Sequence, residues 1–142
     1  MPLARTALYA QGENLHVAIW PGSKRNTEEI TRFIALESRS YVLSVSGLLS
    51  RDDIPDSMPR KDLIVEKSPE VFANGGSCIA APDGSWVIEP ADSSEQLLVA
   101  ELDFSLVLRE RQNFDPCGHY SRADVTQLHV NRERQSVAKF ED

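Results

Sequence analysis

Cysteine is scarce in this chain: two among 142 residues, Cys78 and Cys117. Two thiols are too few for a disulfide framework, so an apolar core has to hold the fold, and a reducing, cytoplasmic setting is the expectation. Long apolar runs are missing too. None approaches the roughly 20 residues of a membrane span, which predicts no membrane partner. The opening Met1-Pro2-Leu3-Ala4-Arg5 lacks the basic-then-apolar order of a signal peptide. Positive charge is in deficit, with 15 Lys and Arg against 22 Asp and Glu, a net charge of −7. With no basic stripe to displace phosphate counterions, nucleic-acid binding is excluded as an expectation. The charges of both signs are interspersed and read as solvated surface. Gly75-Gly76 stands in neither a P-loop nor a G-x-G-x-x-G spacing, so nucleotide binding gains no support. No repeat, low-complexity tract or metal-ligand spacing is present, and no cofactor is expected.

What remains is the composition of an ordinary globular domain, 41% hydrophobic and 26% charged. A chain of this length hides about 70% of its unfolded surface. Pro2 to Gln11 reads as a helix with Leu3, Ala7 and Leu8 on one side and Gly12 at its end. Leu15 to Trp20 is nearly all apolar, the pattern of a strand covered on both faces, and Pro21-Gly22 ends it. Asn26 to Arg39 reads as a helix capped by Asn26, with Glu29 completing a capping box and Ile30, Phe33 and Ile34 as its apolar stripe. Glu28 and Glu29 suit that helix's N-terminal dipole. Tyr41 to Ser46 is a second strand. Leu48 to Pro69, rich in prolines and charges, reads as a loop excursion with a short helix at Lys61 to Lys67. Ser77–Ala81 and Trp86–Glu89 flank Pro82-Asp83-Gly84-Ser85 as a hairpin. Leu97 to Leu102 is predicted to be a strand, and Asp103 to cap a helix reaching Gln112 over Leu106 and Val107. Val125 to Val130 alternates, as an edge strand or a subunit-contact arm would. Strands alternating with helices, plus one hairpin, predict an α/β chain with α+β layers. It opens directly in an apolar-faced helix with no first strand, which a truncation explains most simply.

The chemistry-bearing side chains read mostly as structural. Cys78, after Gly75-Gly76-Ser77, has no basic neighbour in sequence to lower its pKa and is expected to be a small buried residue. Cys117 and His119 are two apart and would point the same way on a strand. They lack a third orienting group, and two ligands fall short of a structural zinc site. His16 is expected to be hydrogen-bonded within the core, His129 to lie on the surface, and Glu37 and Arg39 to pair or pack.

The order of motifs resembles the nitrilase branch of the carbon–nitrogen hydrolases. The residues that carry it are Met1-Pro2-Leu3-Ala4-Arg5, Ala7 to Glu13, His16-Val17-Ala18-Ile19-Trp20-Pro21-Gly22, Ala35 to Ser44, Gly75-Gly76-Ser77-Cys78, Arg111 to Pro116 and Gly118 to Val125. No single block is decisive, but together they run in family order over nearly the whole chain. The resemblance implies the C-terminal half of an αββα nitrilase-type sandwich. It divides the chain into a partial hydrolase domain, 1–112, and an extended arm, 113–142, that makes subunit contacts. It implies an enzyme whose cysteine thiolate attacks a nitrile carbon to give a thioimidate, with a glutamate shuttling protons and a lysine stabilising the tetrahedral species. Water then releases ammonia and a carboxylate. In the family the nucleophile sits in a Cys-Trp-Glu stretch just before the Met-Pro-Leu-Ala-Arg block, with the glutamate and lysine further upstream. None of the three therefore maps onto this sequence. What maps is a share of the pocket wall: Trp20 and Pro21, and more weakly Gly22 and Ser23; on the residues alone Trp20 reads equally as core, and the resemblance tips it to the pocket. The implied partners are a small nitrile in the parent enzyme and either further copies of the chain or a full-length relative.

Overall fold

The computed structural model describes residues 1–133 and 136–138. Its elements run α1 (Pro2–Tyr9), β1 (Leu15–Trp20), α2 (Lys24–Ser38), β2 (Tyr41–Ser46), β3 (Leu48–Ser50), a 3₁₀ turn (Arg51–Asp53), α3 (Lys61–Lys67), β4 (Val71–Asn74), β5 (Cys78–Ala80), β6 (Trp86–Ile88) and α4 (Ser105–Asn113). This is a mixed α/β arrangement. One sheet has the order β1-β2-β5-β6, with β1 and β2 parallel and the other two pairs antiparallel. A separate ribbon pairs β3 with β4. No helix among the described residues is long and apolar enough to cross a membrane.

The core follows from strand periodicity. Successive strand residues face opposite ways. Ala18, Val42 and Ala80 meet Ile34 and Ala35 of α2, with Trp20, Ile30 and Trp86 packed around them. A second cluster joins Tyr41, Ala81 and Val107, and the Tyr41 hydroxyl donates to the Asp103 carbonyl at 3.1 Å. The β5–β6 turn is closed by the Asp83 carboxylate, which accepts the Ser85 N–H.

Several expectations need correction. β1 is covered on one face: His16 and Ala18 are buried, whereas Leu15, Val17 and Ile19 are exposed, Ile19 by 80%. An apolar run looks the same in sequence whichever face has a partner. Helix α1 likewise turns Leu3 and Leu8 outward and buries Tyr9. Helix α2 begins at Lys24 rather than after Asn26, and its buried face is Thr27, Thr31, Ile34, Ala35 and Ser38, with Phe33 exposed. Glu28 and Glu29 thus fall beyond the first turn, where the dipole's pull has faded. Part of the Leu48–Pro69 loop is strand, because Leu48–Ser50 finds a ladder partner in Val71–Asn74. Leu97 to Leu102 forms no strand and pairs with none among the described residues. A cavity of about 240 Å³ is lined by Leu97 and Leu98 together with Leu43, Val45 and Ile79. Val125 to Val130 forms no strand and is exposed throughout. Four expected arm residues at 139–142 lie outside the described set, as do 134 and 135.

Candidate functional site

Parallel strands β1 and β2 end side by side, Trp20 in register with Ser46. In open α/β sheets, the carboxyl ends of parallel strands are where ligands are generally bound. Trp20 is half-buried against the main core, and its indole N–H is buried without a hydrogen-bond partner. Ser46 is 8% exposed, and its hydroxyl is likewise buried and unpartnered. Unpaired buried polar atoms are uncommon, so two on register partners mark this strand end as unusual. Pro21 is exposed.

The turn after Trp20 is held from a distance. Ser23 adopts φ 90°, a strained value for a residue with a Cβ, and its side chain does not cap α2. The cap comes from the end of β4, where the Asn74 Oδ1 accepts the Lys24 N–H at 2.9 Å. Gly22 (φ 133°) passes so close to β4 that a Cβ there would sit 2.2 Å from the Ala73 Cβ. Gly76 (φ 98°) lies against α2, where a Cβ would stand 2.6 Å from the Lys24 Cα, and its carbonyl accepts from the Thr27 hydroxyl at 3.1 Å. Both positions require glycine for sign of φ and for space. The Gly75 N–H donates to the Gly47 carbonyl at 3.2 Å, and the Ser77 hydroxyl accepts the Ser46 N–H at 3.0 Å. A cavity of about 610 Å³ opens beside this bracket, walled by Val45, Ser46, Gly75, Gly76, Ser77 and the 91–98 segment with Asp92 and Glu95. Ser46 lines it; Trp20 and Pro21 do not. Sequence reading singled out Trp20 and Pro21 but missed Ser46 and Asn74. The one available signal was the Gly75-Gly76 pair, a mark of close backbone approach.

The two thiols sit elsewhere and apart. Cys78 is 1% exposed, and its Sγ lies 3.7 Å from the Thr31 hydroxyl. Burial pushes the thiol up from its ordinary value, against a weaker opposite pull from the Thr31 and Ser44 hydroxyls. Cys117 is partly buried in a turn rather than a strand, with its N–H donated to the Asp115 carboxylate at 3.1 Å. Burial first, and then the Asp115 charge, raises its pKa as well. His119 leaves Cys117 aside and packs on Tyr120, ring centroids 4.8 Å apart. The Arg111 charge pulls the Cys117 value back down but is outweighed, so neither thiol is held in the electropositive setting that makes a cysteine nucleophilic.

The remaining polar candidates are structural, as their sequence context suggested. His16 is buried, with Nδ1 2.9 Å from Glu13. Glu37 binds the Arg5 guanidinium at 3.0 Å and accepts from the Tyr9 hydroxyl at 2.8 Å, fastening α1 to α2. Arg39 pairs with Glu110 at 3.2 Å and lies over the Phe114 ring. His129 is exposed. Among the described residues no three His, Cys, Asp or Glu side chains cluster as metal ligands would.

Comparison with known proteins bears on this arrangement. Residues 1–112 match the family model described as carbon–nitrogen hydrolase. The chain is 39% identical over 137 residues to an aliphatic nitrilase of Sinorhizobium fredii, covering 96% of this chain and 44% of that protein. It is 37% identical over 143 residues to nitrilase 2 of Arabidopsis thaliana, covering 99% of this chain and 42% of that one. To an arylacetonitrilase of Aspergillus niger it is 34% identical over 143 residues, at 91% and 42% coverage. The chain therefore spans a little over two fifths of the length of these relatives.

Proposed function

Because the chain belongs to the carbon–nitrogen hydrolase family, we propose that it is the C-terminal portion of a nitrilase-type enzyme, which converts a nitrile to a carboxylic acid and ammonia through a cysteine thioimidate. The observation that carries this reading is the similarity to nitrilases, which extends over almost all of the 142 residues. In this reading residues 1–112 are the hydrolase portion, and 113–142 form an arm for contacts between subunits. Trp20 and Pro21 belong to the wall of the substrate pocket, and the nucleophile, general base and lysine come from outside these residues. Support for the last point lies in the two thiols. Both have raised pKa values and neither has a catalytic partner, so neither is poised to attack a nitrile carbon.

The test is ammonia release from an aliphatic nitrile and an arylacetonitrile. The 142-residue chain alone should give none. Mixed or co-expressed with the N-terminal portion of the Sinorhizobium fredii nitrilase, it should give turnover that falls by about tenfold or more in Trp20→Ala. Turnover by the chain alone, abolished in Cys78→Ala or Cys117→Ala, would overturn the assignment. Failure of every complementing half would count against it as well.

A second reading is favoured by the exposed apolar face of β1: a non-catalytic subunit that docks on a full-length relative. Co-purification with an active hydrolase, without any effect of Trp20→Ala on its rate, would select that reading over the first.

A further inference from the structure

The start of α2 is poorly made by its own sequence. Its first turn carries Lys24 and Arg25 and no acid, opposite to what the helix dipole favours, and Ser23 supplies no side-chain cap. The preceding turn holds two residues at positive φ, one of them not glycine. A segment like this is expected to fray unless something outside it supplies order. The Asn74 side chain, fifty residues on, accepts the Lys24 N–H. Around it, Ala73 abuts Gly22 and Gly76 abuts Lys24, so the strained turn is gripped on both sides. Trp20, immediately before that turn, ends β1 with its indole N–H unpaired among the described residues.

We propose that Asn74 is a positioning residue for the pocket wall: by capping α2 from the base of the β3–β4 ribbon, it fixes the Pro21–Ser23 turn and with it the indole of Trp20. The purpose rests on the reading of Trp20 and Pro21 as pocket wall; the mechanical coupling does not. The ribbon and the α3 excursion it carries thus become a lever on the strand end, and changes in residues 73–76 act on Trp20 without touching it.

The chain has two tryptophans, Trp20 and Trp86, so Trp86→Phe leaves Trp20 as the sole emitter. In that background Asn74→Ala should roughly double acrylamide quenching of Trp20 and speed amide exchange at residues 25–27 about tenfold, while the amides of Ile34 and Val42 stay slow. Asn74→Asp, which keeps the acceptor, should behave as the parent. Lys24→Pro removes the donor at a first helical position, where proline is tolerated, and should reproduce the Asn74→Ala signature. Combining the two should add nothing further, as expected for partners in one interaction. Should Asn74→Ala fail to fold, the Lys24→Pro and Asn74→Asp arms decide. The proposal is overturned if Trp20 quenching is unmoved by either loss, if Asn74→Asp fails to rescue, or if core amides accelerate in step. None of these readouts depends on turnover. Their failure rejects the role of Asn74 alone, and a failed complementation assay rejects the hydrolase reading alone.

Discussion

Single side chains in this protein do their work through what surrounds them rather than through their chemical type. Cys78 and Tyr9 are both acids whose pKa burial raises, and for Tyr9 the neighbouring Glu37 carboxylate adds to the effect. Tyr41 shifts the same way, again chiefly through burial. An acid whose folded pKa lies above its unfolded one releases its proton first in the unfolded chain, so its stabilising contribution is complete below the unfolded pKa. It is lost as pH climbs towards the folded value. With ordinary values of 9.0 for the thiol and 10.0 for the phenols, melting temperature should hold steady to about pH 9 and fall beyond it. The double variant Cys78→Ala, Tyr9→Phe should show a shallower alkaline fall in thermal melts followed by circular dichroism. An identical slope would refute the attribution. At neutral pH, Tyr9→Phe alone should cost about 1.5–3 kcal/mol, because the hydroxyl donates to the Glu37 carboxylate and accepts from the Arg5 guanidinium.

At the scale of elements, the sequence was most informative where a signal was local. β1, β2 and α3 carry the bounds expected of them, because apolar runs and breakers sit within a few residues of each boundary. The start of α2 was not legible: Asn26 and Glu29 mimic a capping box, whereas the true acceptor is Asn74, which no window along the chain joins to Lys24. The β3–β4 ribbon escaped for a related reason, since three- and four-residue strands are defined by the ladder they share. At the end of β1, Trp20 and Pro21 were singled out through family resemblance. Ser46 was not, because a serine acquires meaning only when burial leaves its hydroxyl unpaired. The glycine bracket gives an element-level prediction. Gly76→Ala forces a Cβ into the backbone of Lys24 at positive φ and should destabilise the chain by about 2 kcal/mol or more, read from urea midpoints. Ala73→Gly, which opens space beside Gly22, should not relieve it.

For the whole molecule, the central fact is a sheet whose second face is left bare towards β1. Helix α2 covers the side of Ala18 and Val42, whereas Val17, Ile19 and Val45 face outward with no charge among them, and the exposed Leu97 lines a cavity with Val45. β1 is also one of the sheet's two edge strands among the described residues. An exposed apolar strip on a free edge favours association. We expect the 15.8 kDa chain to sediment as a concentration-dependent larger species, and Ile19→Lys to shift it towards the monomer without altering its far-ultraviolet spectrum. A wild-type chain that sediments as a single monomer at all concentrations would refute this.

The latch between Arg111 and the loop ahead of β1 carries a consequence for biogenesis. Arg111 donates to the Asn14 side chain at 3.2 Å and to the Glu13 carbonyl, closing a loop across 97 residues. A ribosome adding about 5–20 residues per second must lay down the 97 residues that separate the two partners before the latch can close. Until then the entry to β1 waits half-fastened, and the nascent polypeptide depends on whatever shields it in the interval.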